Sequence, residues 1–284
     1  MRINPIGNAQ FVADIEDVDL QAISTDDFEQ IYQAWLHFGV IRIRNQSLDD
    51  TALQRFSARF GPLEEIPLGR MSKQDREKIP NIYVAVLSNI RVNGKAIRGL
   101  GNAEASWHSD MTYVDTPPPA SVLLGVEIPV VGGNTYFADQ TAAYAALPDS
   151  LRQRITDLNI KHNAAHTSVG SLRPGYEAVI DPRDAPGSIH PIVRTHEETG
   201  HPALYLGRRE WAYIPGLSLS DSEALLDELW SYAALTPNVW QQTWQPNDLI
   251  VWDNRRVLHR RDGFDNNARR LMKRCQVLAR ATDG

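Results

Sequence analysis

A mainly β fold, built as a sandwich or barrel with helices packed outside, is the architecture this chain predicts. Three observations lead there. Short apolar or alternating runs recur along the whole chain, separated by turns that draw on its 18 glycines and 17 prolines. Only a few stretches carry the 3.6-residue apolar period of a helix. No repeat, low-complexity tract or linker divides these pieces, so a single domain over 1–284 is expected, long enough to bury a large core.

Residues 8–20 read as extended, with Phe11, Ala13 and Ile15 apolar at alternate positions. A helix is predicted over 25–38. Ser24 and Asp27 form a capping box at its start, Phe28, Ile31, Tyr32, Trp35 and Leu36 share one face, and Gly39 is placed to end it. Val40 to Arg44 alternates and predicts a strand. A second amphipathic helix over 49–60 turns Leu53, Phe56 and Phe60 inward, with Gly61 as its stop. Residues 82–87 make a short apolar strand, and 89–106 a polar loop. Beyond Pro117-Pro118-Pro119, strands at 120–128 and 135–138 flank a Gly132-Gly133 turn. A helical stretch over 140–157 is interrupted at Pro148. Residues 160–190 are the longest irregular region, broken by Gly170, Pro174, Gly175, Pro182, Pro186 and Gly187. A loop of that length is commonly functional, and a lid or insert is expected there. Strands at 190–195 and 203–206 enclose a turn at 197–200. A helix over 221–234 starts on Ser220 and Glu223, and strand-like segments at 239–244, 248–252 and 270–279 close the chain.

Composition narrows function by exclusion. Hydrophobic content of 42% and charged content of 23% are ordinary for a soluble globular protein. The net charge of −6, with Lys and Arg mostly scattered, argues against a nucleic-acid partner, which needs a clustered basic footprint. No run approaches the roughly 18 apolar residues of a membrane span, so no membrane partner is expected. The segment from Met1 to Pro5 lacks the apolar core of a signal peptide. The single cysteine, Cys275, allows no internal disulfide and fits a cytoplasmic location; in its alternating apolar segment it reads as buried filler.

The chemistry concentrates at Trp107-His108-Ser109-Asp110 and at His259. On an extended segment His-x-Asp places both side chains on one face, because strand side chains alternate with period 2. A second histidine from a distant strand would complete a 2-His-1-carboxylate set that leaves three positions of an octahedral Fe(II) open. The tripeptide alone arises by chance in many chains; its company raises its weight. The apolar run from Leu249 to Trp252 ends in the polar turn Asp253-Asn254-Arg255, with His259 just beyond. Arg270 and Arg274, four apart on the next strand, share a face, whereas Arg269 and Lys273 point the other way, toward solvent or a surface ion pair. Thr135 opens the strand after Gly132-Gly133.

With these features in place the chain resembles the Fe(II)/2-oxoglutarate-dependent dioxygenases of the taurine dioxygenase and 2,4-dichlorophenoxyacetate dioxygenase group. The resemblance covers nearly the whole chain. It rests on WHSDMTY at 107–113, PPPASVLLGVEIP at 117–129, GGNTYF at 132–137, HPIVRTH at 190–196, WQPNDLIVWDNR at 244–255 and the HRR…ARRLMKR run at 259–274. It implies a double-stranded β-helix (jelly-roll), with His108, Asp110 and His259 as iron ligands and O2 and 2-oxoglutarate as co-substrates. Thr135 and Arg270 then occupy the positions that hold the far carboxylate of 2-oxoglutarate; a guanidinium grips a carboxylate through two charge-assisted hydrogen bonds and a hydroxyl adds a third donor. Arg274 stands where sulfonate-using relatives grip the substrate's anionic head. Related halogenases have a small residue at the position of Asp110, so the carboxylate points to hydroxylation, which beside a heteroatom can end in C–S or C–O cleavage.

The sequence departs from the taurine-type pattern. The segment after Phe60-Gly61 reads Pro62-Leu63-Glu64-Glu65-Ile66-Pro67, without the histidine that contacts the sulfonate, which points away from taurine and toward another small organic anion, a sulfonate, sulfate ester or carboxylate. Glu104 stands near where a short polar amide is expected before the metal motif, and His166 lies in the expected lid; both are candidate substrate contacts. The other histidines, His37, His162, His190, His196 and His201, read as structural or exposed, and Trp107, Trp252 and Tyr113 as core packing or pocket wall. A homo-oligomer is expected. Two other classes fit a His-Asp-His set: a metal-binding jelly-roll hydrolase or isomerase with no use for 2-oxoglutarate, Arg270 or Thr135, and a non-catalytic sensor.

Overall fold

Alternating apolar residues build two sheets that face each other. The computed structural model describes every residue except 67–72, 78, 93–94, 97–102 and 281–284, so the expected polar loop over 89–106 lies partly outside the described residues. The first strands are β1 (Arg2–Ile6), β2 (Ala9–Glu16), β3 (Val40–Ile43), β4 (Ala85–Ser88), β5 (Arg91–Val92), β6 (Lys95–Ala96), β7 (Ala105–His108), β8 (Ala120–Glu127) and β9 (Thr135–Asp139). There follow β10 (Asn159–Lys161), β11 (Ile189–Pro191), β12 (Val193–Thr195), β13 (Pro202–Leu204), β14 (Val239–Gln242), β15 (Leu249–Asp253), β16 (Val257–Arg261) and β17 (Leu271–Val277). The helices are α1 (Thr25–Phe38), α2 (Asp50–Ser57), α3 (Lys73–Arg76), α4 (Gln140–Ala145), α5 (Asp149–Ile155) and α6 (Leu219–Ala233).

The larger sheet has seven strands in the order β1-β2-β3-β15-β8-β17-β4, antiparallel except where β2 meets β3; the smaller has four, β14-β9-β16-β7. Between them Val40, Leu123, Ile250, Trp252 and Met272 from the larger sheet pack on Phe137, Trp240 and Val257 from the smaller. This is a jelly-roll sandwich. On the outer face of the larger sheet, Phe28, Ile31 and Trp35 of α1 and Leu53 and Phe56 of α2 cover Ile41, Val122, Val251 and Cys275. On the outer face of the smaller sheet, Leu151 and Ile155 of α5 and Leu225, Leu226 and Leu229 of α6 cover Ala138 and Leu258. Each fully buried Leu, Ile or Val contributes about 1.5–3 kcal/mol to this layering.

Local chemistry sets the element ends. The Ser24 side chain accepts from the Asp27 amide at the start of α1, and Gly39 stops it in the left-handed region at φ 84°, its amide donating to Trp35 O at 2.7 Å. Helix α2 ends at Ser57, short of the expected 60, because Phe60 N turns to Ser57 O in a tight 3-residue bond before Gly61 is reached. Helix α6 starts earlier than expected: its cap is Ser218, which accepts from Asp221 N, and Ser220 lies within the first turn.

Two differences bear on function. The sequence predicts strands at 248–252 and 270–279 with no element between them, whereas His259 lies inside β16, the second arm of a hairpin with β15. Val257, His259 and Arg261 alternate with Leu258 and Arg260; because the inward positions include a histidine and an arginine, no apolar alternation betrays the strand. The 160–190 stretch is pinned at both ends, where β10 pairs with β11, and within, where Arg173 N donates to Ala165 O and His166 bridges Leu172. Gly187 is obligatory there: at φ 139° a Cβ would lie 1.8 Å from His162 O.

Candidate metal centre

Strands β7 and β16 are antiparallel neighbours whose register sets His108 directly across from His259, with ring centroids 4.1 Å apart. His108 is the last residue of β7, and Asp110 lies in the turn beyond rather than on the same strand. The turn still delivers its carboxylate. Asp110 Oδ1 is 3.9 Å from His108 Nε2 and 3.9 Å from His259 Nε2. One ligand atom from each residue falls within 4.8 Å of the other two, the one such grouping among the described residues.

Protonation states suit a cation. Burial, more than any other influence, lowers the His108 imidazole, and its Nδ1 lies 2.8 Å from Ser106 O. The carbonyl can only accept, so Nδ1 carries the proton and Nε2 turns its lone pair to the cluster. Burial, then His108, pushes His259 down to about 3. Burial alone would raise the Asp110 carboxyl, but Arg274, His259 and His108 together hold it well below the carboxylate range. The cluster is therefore two neutral imidazoles and one carboxylate at neutral pH. Ser121 Oγ donates to Asp110 Oδ2 at 3.0 Å, leaving Oδ1 toward the imidazoles.

The arginines divide between two places. Arg274 Nη1 rests 3.3 Å from Asp110 Oδ1. Arg270 lies four residues away with Met272 of the inner core between them. It is 4% exposed, its Nε has no acceptor among the described residues, and burial followed by Arg261 pushes it down to about 9. Its side chain runs beside Gly133, where a Cβ would stand 3.5 Å from its Cδ and Nε. Two residues on, Thr135 is buried opposite Arg261, and its Oγ1 accepts from Trp244 Nε1 at 3.0 Å, which leaves the hydroxyl proton free for another acceptor. Lys273 and Arg269 face outward and form ion pairs with Asp50 and Glu127.

Glu104 and His166 do not join the cluster. They line a cavity of about 340 Å³ along β7 with Ser106, Arg208 and Trp211. Glu104 is bonded to Arg260 at 3.1 Å, and the His166 ring stacks on Trp211 at 5.0 Å. His196 is structural: Asp253 holds its Nε2 at 2.8 Å. Trp252 packs 4.9 Å from the His259 ring, and Tyr113 is held by Arg173 of the 160–190 stretch at 2.8 Å. The sequence reading missed Ser121 and Arg208. A serine at an inward position of the otherwise apolar β8 was the available signal for the first; Arg208, in an irregular segment, offered none.

A jelly-roll that presents two imidazoles and one carboxylate between its sheets has the ligand arrangement of the non-haem Fe(II) oxygenases. The family model described as "Taurine catabolism dioxygenase TauD, TfdA family" matches residues 2–276. The chain is 30% identical to the (S)-phenoxypropionate/alpha-ketoglutarate-dioxygenase of Sphingobium herbicidovorans, over 93% of this chain and 91% of that protein. It is 31% identical to the alpha-ketoglutarate-dependent 2,4-dichlorophenoxyacetate dioxygenase of Cupriavidus pinatubonensis, over 97% and 96%. The solved structure of AAD-2 in complex with Mn(II) and N-oxalylglycine superposes with a TM-score of 0.80 at 27% identity, covering 98% of both chains. This chain belongs to the TauD/TfdA family and is a 2-oxoglutarate-dependent dioxygenase that uses Fe(II) and O2. No helix among the described residues is long and apolar enough to cross a membrane.

Proposed function

We propose that this enzyme hydroxylates a small organic anion, a carboxylate with an aromatic or hydrocarbon body, with Fe(II) held by His108, Asp110 and His259. The observation that carries the reading is the pairing of that cluster with Arg270, a buried guanidinium with no anionic partner among the described residues. Bound Fe(II) would supply the redox chemistry with O2 as the oxidant: one oxygen atom goes to succinate as 2-oxoglutarate loses CO2, and the other goes to the substrate. The chain's own residues bind and orient. Arg270 and the free hydroxyl proton of Thr135 hold the far carboxylate of 2-oxoglutarate, replacing the solvation that burial removed from the guanidinium. A hydrolase or isomerase reading leaves Arg270 unexplained.

Arg274 takes the substrate's anionic head. It already lies beside the metal cluster, so an anion drawn to it brings the neighbouring carbon close to the site of oxidation. Ile66, buried where taurine-type enzymes have a polar histidine, favours apolar bulk, and the relatives named for phenoxypropionate and 2,4-dichlorophenoxyacetate act on carboxylates of that kind. Glu104 and His166 form the rim, and the 160–190 stretch serves as the lid of a single domain, contacting Tyr113 through Arg173. Hydroxylation beside a heteroatom ends in C–O or C–S cleavage. The enzyme works in the cytoplasm as a homo-oligomer.

Succinate release measured across phenoxypropionate, 2,4-dichlorophenoxyacetate, an alkyl sulfate ester and taurine tests this. Aryloxy carboxylates should drive it and taurine should be poor. Efficient turnover of taurine, or no substrate-dependent succinate with any organic anion, overturns the substrate reading.

A further inference from the structure

Ser109 is tied by its hydroxyl to Val257 O of β16 and by its amide to Gly207 O, both at 3.1 Å, but the Asp110 backbone beyond it has no strand partner among the described residues. The β7–β16 ladder ends at the pair His108–His259, and Met111 next in line is a non-glycine residue in the left-handed region, at φ 53°. Such a conformation persists only where its surroundings hold it. The holding group is the carboxamide of Asn254, 1% exposed in the β15–β16 turn. Its Oδ1 accepts from Asp110 N at 2.7 Å, and its Nδ2 donates to Asp110 O at 2.8 Å and to Pro118 O at 2.9 Å. The side chain thus continues the ladder past its last backbone pair. It ties the segment bearing the carboxylate to the hairpin that bears His259, five residues on.

We propose that Asn254 is a positioning residue for the metal centre, fixing the Asp110 backbone so that its carboxylate stands opposite His108 and His259; this rests on the metal reading above. The turn itself does not depend on the carboxamide. Asn254 N donates to Pro119 O at 2.8 Å, and Arg256 N to Asp253 O at 3.2 Å. Loss of the side chain therefore frees Asp110 while the hairpin keeps its backbone anchors. Ser121 still binds Oδ2, but a carboxylate on a loosened backbone no longer meets both imidazoles.

The test is Mn(II) affinity of the full chain by titration, read beside the urea midpoint of the metal-free protein. A matched control exists. Gln46, 6% exposed, also makes three side-chain bonds to backbone, with Leu20 N, Val18 O and Arg44 O, but on the strand and loop framework at the N-terminal edge. Asn254→Ala should weaken Mn(II) binding about 10- to 100-fold, the range seen when groups that orient metal ligands are removed. Gln46→Ala should lower the urea midpoint yet bind Mn(II) as wild type does. Wild-type affinity in Asn254→Ala, or equal weakening in both variants, overturns the proposal. If Asn254→Ala does not fold, Asn254→Asp carries the test with the same thresholds: it keeps the shape and the acceptor, loses both donated bonds, and adds a negative charge that by itself favours a cation. His108→Ala separates the two levels. If it abolishes Mn(II) binding while the Asn254 variants do not weaken it, this proposal alone fails; if it binds Mn(II) normally, the metal reading fails.

Discussion

Arg270 is the residue whose burial asks most for an explanation. A guanidinium whose Nε has no acceptor among the described residues, inside the sandwich and within the field of Arg261, is costly in the metal-free chain unless an anion offsets it. Arg270→Ala should therefore weaken 2-oxoglutarate binding by roughly 2–5 kcal/mol, the cost of breaking a desolvated charge pair. Anaerobic calorimetry measures it, and an unchanged affinity would move the clamp to another side chain, Arg274 first. The buried histidines make a second prediction at this scale. Burial, followed by like-charged neighbours, pushes His162 and His259 each down to about 3, below the roughly 6.5 of a free imidazole. Between those values the unfolded chain binds protons that the folded chain refuses, so stability is full above pH 6.5 and falls as pH drops toward 3. The urea midpoint of the metal-free protein should fall on going from about pH 7 to about pH 4, and His162→Leu should flatten that slope. A midpoint independent of pH across the window contradicts the assignment.

Among elements, the β15–β16 hairpin does most to organise the site, and its turn is held by charge as well as by Asn254. Asp253, fully buried at the end of β15, receives His196 at 2.8 Å and Arg255 at 2.7 Å, and Arg255 reaches on to Glu198, which also accepts from Tyr32 of α1. The network fastens the turn after β12 and the first helix to the hairpin. Asp253→Ala leaves the buried His196 imidazole without its carboxylate and Arg255 with Glu198 alone, and should cost about 3–5 kcal/mol in urea unfolding; a loss under about 1 kcal/mol would mean that solvent reaches the turn. The same hairpin shows what could be read from sequence and what could not. Helix α1 was legible because Ser24, Gly39 and an unbroken apolar face all state it locally. Strands β8 and β15 were legible because both their faces are mostly buried and apolar. β16 was not, because its inward face carries His259 and Arg261, which break the apolar alternation that marks a strand. His108 and Asp110 could be paired from their spacing, but that Asp110 sits in a turn kept in place by a side chain 144 residues away is a fact of tertiary structure alone.

At the scale of the whole molecule, the layered fold makes the site's parts separable by ligand-linked stability. A ligand that binds only the folded chain raises its unfolding free energy by about 2.7 kcal/mol at a hundredfold excess over its dissociation constant. For a chain of this size that is a rise in melting temperature of about 5 °C or slightly more. Mn(II) and N-oxalylglycine, the pair present in the AAD-2 structure, serve as the probes. Mn(II) should raise the melting temperature of wild type, N-oxalylglycine should add a second increment only when Mn(II) is present, and an aryloxy carboxylate a third. His259→Ala should lose all three. Arg270→Ala should keep the first and lose the second, and Arg274→Ala should keep the first two and lose the third. The pattern follows from position, since His259 on β16 and Arg274 on β17 both meet Asp110, whereas Arg270, the residue before β17, lies beside Gly133. A second increment that survives Arg270→Ala but not Arg274→Ala would exchange the two arginines' roles, placing the 2-oxoglutarate carboxylate next to Asp110 and the substrate beside Gly133.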